Sequence, residues 1–131
     1  MVRGGARIGS GAIVRAGAVV HKSARIGTDA RIGSDARIGR CVVVEADAYI
    51  GTDVWIEVDA IVRADAYIGT GARIGSDARI GAGAVIHESA RIGSGAKIGE
   101  NVVIPANSVV VTKAVVPSPW FVEMLCGRIV R

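Results

Sequence analysis

The sequence predicts an all-β chain, a solenoid of very short strands whose coils stack as parallel sheets, and three observations carry that prediction. An aliphatic residue recurs at every sixth position from Val2 through Ile8, Val14, Val20 and Ile26 to Val110 and Val116, with no residue out of phase. Two places before each rung stands a small side chain, mostly alanine, with Val42, Val54, Val102 and Ser108 as variations. Three places after most rungs comes Gly, Asp or Asn. An internal repeat this strict decides the architecture before propensity is weighed.

Each hexad reads as one strand and one corner. A helix needs apolar residues at a 3.6-residue period, and a six-residue step drifts off any helical face. In Ala6-Arg7-Ile8, and again in Ala24-Arg25-Ile26, two apolar side chains flank an outward one, which is the alternation of a strand. Gly11, Gly17, Asp29, Asp35, Asp47, Asp53, Asp59, Asp65, Gly71, Asp77, Gly83, Gly95, Asn101 and Asn107 follow as corners. These residue types tolerate the positive φ that a tight corner demands. Residues 1–117 therefore form the solenoid, and 118–131 a capping tail. Within the tail, Pro119 begins and Gly127 follows a helical turn, and Trp120, Phe121, Met124 and Leu125 cover an end of the column.

The bulk properties narrow the class. No apolar run approaches the roughly 18 residues of a membrane span, and the N-terminal residues join the repeat without a signal-peptide core. Membrane partners are not expected. Cys41 at a corner and Cys126 in the tail suit a reducing compartment, and the expected location is cytoplasmic. The net charge of +4 is spread over outward arginines, a solvated face and not a reading module for nucleic acid.

Ala-Arg-Ile-Gly at 6–9, 24–27, 30–33, 36–39, 72–75, 78–81 and 90–93 resembles the motif of the hexapeptide-repeat family. The resemblance implies a left-handed parallel β-helix, triangular in section, with three hexads per coil and six to seven coils. Residues 18 apart then stack at about 4.8 Å. Tyr49 lies beneath Tyr67, Trp55 between Arg37 and Arg73, and Glu45 beneath Arg63 as a corner ion pair. The tyrosine column is the most apolar outward face, and such stripes mark interfaces. Relatives of this kind are commonly trimers, so a homotrimer is expected, with Tyr49 and Tyr67 or Trp55 at the contacts. Open sheet edges on the N-terminal coil favour end-to-end association as well. Asp29, Asp47 and Asp65 form a further column, read as solvated corner residues in preference to a calcium ladder.

Val110-Val111-Thr112-Lys113, the closing Arg128-Ile129-Val130-Arg131 and Asp53-Val54-Trp55-Ile56 are similar to segments of the hexapeptide acyltransferases. That likeness implies acyl transfer from a coenzyme A thioester to a small hydroxyl or amine acceptor at trimer clefts. The tail departs from the pattern, with Met124, Leu125, Cys126 and Gly127 where those enzymes carry Gly-Asn-Pro-Ala. Unbroken hexad phase also leaves no acceptor-binding loop thrust from the helix. Such transfer needs a general base to take the acceptor's proton. His21 and His87 are the available histidines, and both follow a rung where most hexads carry Gly. His87, set among small corner residues where a pantetheine arm can run, is the catalytic candidate. Arg73, Arg91 and Lys97, outward on nearby coils, are the candidates for the cofactor phosphates.

A weaker likeness runs to the γ-class carbonic anhydrases, through Ala60-Ile61-Val62-Arg63-Ala64-Asp65 and Gly81-Ala82-Gly83-Ala84-Val85-Ile86-His87. Catalytic zinc requires three protein ligands, yet Ala82 stands where the first histidine of that pair belongs. His21 cannot replace it: 66 residues separate it from His87, about 3.7 coils or roughly 17–18 Å along the axis. No metal site is expected. The alternative to an enzyme is a non-catalytic β-helix, natural or designed, selected for folding and assembly alone. Replacing Ile68 by Asp should unfold the protein, because a carboxylate on that rung would lie unpaired inside the column. Loss of the β-type circular dichroism spectrum is the expected readout.

Overall fold

A computed structural model describes Val2 and residues 4–116. The tail expected to cap the column, with Trp120, Phe121, Met124 and Leu125, lies outside the described residues. The described residues form 19 strands of two residues each, starting with β1 (Arg7–Ile8), β2 (Ile13–Val14) and β3 (Val19–Val20) and ending with β19 (Val115–Val116). Every third strand joins one parallel sheet, giving one sheet of seven strands and two of six. Partners are 18 residues apart throughout, as in Ile8 with Ile26 and Val14 with Ile32. The fold is an all-β parallel β-helix of about six coils, as the sequence predicts.

From β3 onward each strand turns its first residue outward and buries its second in the core. Ile32, Ile38, Ile50, Ile68, Ile74, Ile80 and Ile86 are fully buried, with Ala30, Ala36, Ala60 and Ala72 between them. No polar or charged side chain is buried among the described residues. The N-terminal end departs from expectation. Ile8 is 37% exposed and Val2 46% exposed, although both keep the ladder register. No described coil packs beneath them, so Val20 is the first fully buried rung.

All the corners take positive φ. Besides the glycines, aspartates and asparagines, Ser23, Cys41, Ser89 and Lys113 adopt φ of 66°, 62°, 60° and 64°. These four side chains would not choose that region unaided; the coil imposes it. The corner N–H finds a carbonyl one coil below, as Asp29 N–H does at Ser10 O (2.9 Å) and Asp47 N–H at Thr28 O (2.9 Å). That bond offsets the local cost and keeps successive coils in register. The aspartate side chain lies over the corner below it: the Asp29 carboxylate fills the space a Cβ on Gly11 would need.

The glycine after each rung has a different cause. A Cβ on Gly33 would meet Gly51 C and Thr52 N at 2.6 Å, and one on Gly51 would meet Thr70 N at 2.9 Å. Glycine lets the coils close. The N–H···O distance to the next coil is 2.6 Å at Gly27 and Gly69 and 2.7 Å at Gly39, but 2.9 Å at His21 and Glu57 and 3.0 Å at His87. At these three places a side chain accompanies a slightly looser corner.

Outward columns form where strands stack. The first face carries Arg7, Arg25, Val43, Ile61, Arg79, Lys97 and Val115. On the second, the rings of Tyr49 and Tyr67 stack at 4.9 Å with an interplanar angle of 4°. On the third, Arg37 and Arg73 cover the two sides of the Trp55 ring at 5.2 Å and 5.0 Å. Both stacks are the ones the 18-residue register predicts. Replacing Gly51 by Ala should cost about 1–3 kcal/mol, the usual range for overpacking against atoms that cannot rotate away. Urea unfolding read by circular dichroism measures it. A double-mutant cycle on Tyr49 and Tyr67 should give a coupling of about 0.5–1.5 kcal/mol.

Candidate functional site

The apolar core confines chemistry to outward and corner side chains. Four such residues are singled out by sequence, and the coil places them on different parts of the prism. His87 follows β14 (Val85–Ile86) at the edge between the second and third faces and is exposed. Its backbone is held by Ile104 O (3.0 Å) and accepts the Ala90 N–H (3.3 Å). Gly69 beneath it permits the close approach, since a Cβ there would meet His87 C at 2.9 Å and Glu88 N at 2.7 Å. Among the described residues no side chain hydrogen-bonds the imidazole.

Arg91 opens β15 (Arg91–Ile92), immediately beyond that edge. Arg73 of β12 (Arg73–Ile74) is its direct partner one coil below. These two residues share the face that adjoins the His87 edge. Lys97 does not join them. It opens β16 (Lys97–Ile98) on the first face, paired with Arg79, on the side of the prism opposite the His87 edge. There it lines a cleft of about 320 Å³ with Glu45, Arg63, Arg79 and Glu100.

Two other expectations resolve differently. Glu45 and Arg63 line that cleft together, but no ion pair joins them among the described residues. The Glu45 carboxylate accepts the Ala64 N–H at 3.3 Å instead. The backbone donor of the next coil lies nearer than a flexible guanidinium. Asp29, Asp47 and Asp65 occupy positive-φ corners with φ of 60°, 63° and 63°. No group of three or more metal-binding side chains exists among the described residues. The column is built of corner residues, as expected.

A groove at the edge between the third and first faces escapes the sequence reading. It encloses about 360 Å³ and is lined by His21, Arg37, Gly39, Arg40, Trp55 and Glu57, with Ser76 at its rim. His21, Gly39 and Glu57 are 18 residues apart, so they belong to one corner column. Gly39, between the two larger side chains, lets the coil above pack closely. A Cβ there would meet Glu57 C, Ile56 O and Val58 N at 2.9 Å. Ser76 donates its hydroxyl to the Glu57 carboxylate at 3.3 Å, which orients it. His21 is partly buried, unlike His87. The signal that could have found this site is the 18-residue column itself, applied to corner positions as well as to strands.

Solved structures give the fold a context. The chain is similar to a point variant of the GDP-perosamine N-acetyl transferase from Caulobacter crescentus, solved with CoA and GDP-perosamine. The match has 17% identity and a TM-score of 0.72, over 80% of this chain and 53% of that one. A hexapeptide transferase family protein from Anaplasma phagocytophilum matches at 20% identity and a TM-score of 0.61, over 84% of this chain and 64% of that one. The acetyltransferase domain of PglB from Neisseria gonorrhoeae, in complex with acetyl coenzyme A, matches at 23% identity and a TM-score of 0.55, over 86% and 54%. At such identities the likeness is one of fold. The chain spans about half to two thirds of the length of these structures. No curated protein matches it. The model of the bacterial transferase hexapeptide, six repeats long, matches residues 47–82 and 77–112. With half of its length matched and residues 2–46 keeping the same unbroken hexads, the chain belongs to the bacterial transferase hexapeptide family.

Proposed function

We propose that the protein transfers an acyl group from a coenzyme A thioester to a small hydroxyl or amine acceptor, at clefts between the subunits of a homotrimer. Membership of the transferase hexapeptide family is the observation that carries this reading. Two of the similar structures hold CoA or acetyl coenzyme A, which supports the choice of donor. His87 is the base. Its imidazole takes the proton from the acceptor, the freed lone pair attacks the thioester carbonyl, and the thiolate leaves as the C–S bond breaks. The protonated imidazole then returns its proton to the departing sulfur. Arg73 and Arg91, stacked on the adjoining face, offer their N–H groups to the phosphates of the cofactor. Lys97, on the far face, can serve the same cofactor only from a neighbouring copy.

A side-by-side trimer brings a second copy's face against the His87 edge. Tyr49 and Tyr67, 41% and 43% exposed, supply a flat apolar surface for such packing. The competing reading is a β-helix that serves as a frame without catalysis. It is favoured by one feature: the His87 imidazole has no orienting partner among the described residues, whereas general bases are ordinarily held by one.

Coenzyme A at about 100 times its dissociation constant should stabilise the protein by roughly 2.7 kcal/mol, read as a rise in melting temperature. Replacing His87 by Ala should lower acetyl coenzyme A turnover by about 10²–10⁴-fold. The mass by light scattering should remain that of three chains, because the side chain points away from the core. A wild-type protein with no coenzyme A shift and no thioester turnover on amine and sugar panels would establish the frame reading.

A further inference from the structure

We infer that the groove between His21 and Glu57 binds a small zwitterion, a carboxylate that also carries an ammonium group, independently of the acyl-transfer site. The groove lies on another edge of the prism from His87, although Arg73 of the proposed cofactor face lies over its Trp55 at 5.0 Å. His87 and His21 occupy different edges of the prism, and 66 residues separate them in sequence, about 3.7 coils.

Arginine geometry supplies the first half of the argument. The Arg37 guanidinium carbon lies 5.2 Å from the centroid of the Trp55 ring, beside the groove. A guanidinium kept over an aromatic face still has N–H donors to offer, a fork that matches a carboxylate. Arg40, three residues on in the same coil, lines the groove on the other side of Gly39. A carboxylate in the groove can meet the cationic donors of both arginines.

The second half is the fixed anion. Glu57 stands one coil above, its carboxylate oriented by the Ser76 hydroxyl at 3.3 Å. A simple anion site would be disfavoured by a carboxylate at its rim, since like charges at such range repel. An ammonium group on the ligand removes that conflict and gains a charge-assisted hydrogen bond. The level of Arg37 and Arg40 and the level of Glu57 differ by one coil, about 4.8 Å. That spacing suits an amino carboxylate with a few methylenes between its charged ends. Gly39 adds no side chain to the groove and lets the backbone of residues 56–58 pack directly against it, where a Cβ would clash. His21 closes the lower end with a polar side chain.

Three probes of matched length test this on the full chain: γ-aminobutyrate, butyrate and n-butylamine. Binding is read by the shift of the Trp55 indole N–H in heteronuclear NMR, with Trp120→Phe to assign the two indoles. γ-Aminobutyrate should bind at least about tenfold more tightly than either single-charge probe, the ratio expected for one charge-assisted hydrogen bond. Glu57→Gln should bring γ-aminobutyrate to the level of butyrate and leave butyrate no weaker. Arg37→Gln should weaken both. Equal affinities for the three probes, inorganic phosphate binding as tightly as γ-aminobutyrate, an unaltered preference in Glu57→Gln, or no Trp55 response to any probe would each overturn the inference. Coenzyme A binding and thioester turnover play no part in these readouts, so the outcome is separate from that of the proposed function.

Discussion

The stacking of coils at hydrogen-bonding distance with no offset in register is the constraint on which the rest of this protein depends. Each coil spends 18 residues returning to its starting point one sheet spacing higher, so every position has a fixed neighbour above and below. A one-residue slip would turn each buried Ile outward and each Arg inward. The corners enforce the count. Their positive φ is adopted even by Ser23, Cys41, Ser89 and Lys113, and the corner N–H of the next coil anchors to a carbonyl beneath. Local strain of that kind persists because the ladder on either side over-determines it.

From this register come two grades of closeness. Where glycine follows a rung the coils approach to an N···O distance of 2.6–2.8 Å, as at Gly27, Gly51 and Gly69. Where a side chain follows, the distance is 2.9–3.0 Å at His21, Glu57 and His87, and 2.8 Å at Glu45. The chemistry-bearing residues thus stand at the places where the glycine pattern is broken. Each is flanked in its column by a glycine, Gly39 between His21 and Glu57 and Gly69 below His87, where the backbone of the coil above packs too closely for a Cβ. A uniform repeat can carry a site only through such interruptions, since its core contains no buried polar group among the described residues.

Family membership and local geometry bear on different questions. The hexapeptide family accounts for the frame and makes acyl transfer the leading reading. It does not by itself distinguish the two histidine edges. His87 has basic neighbours in Arg73 and Arg91 and lies next to the face with the stacked tyrosines. His21 has a groove, an oriented carboxylate and an arginine over an indole. Both sites are assembled by the same rule, a corner column with a glycine in it.

The sequence by itself determined the solenoid, its strands, its buried rungs and its stacked pairs. A hexad phase kept over the whole repeat leaves one register, and Tyr49 on Tyr67 and Trp55 between two arginines follow from counting by 18. The tertiary structure decided what counting cannot reach. Which face a corner side chain leans toward, and what it meets there, depends on directions in space and not on period. So Glu45 took the Ala64 N–H in place of Arg63, and Ile8 lay exposed at an end with no described coil beneath it. For the same reason His21, Arg40 and Glu57 converge on one groove. Their sequence positions give the height of each along the axis, but only the closed triangle turns them toward one another.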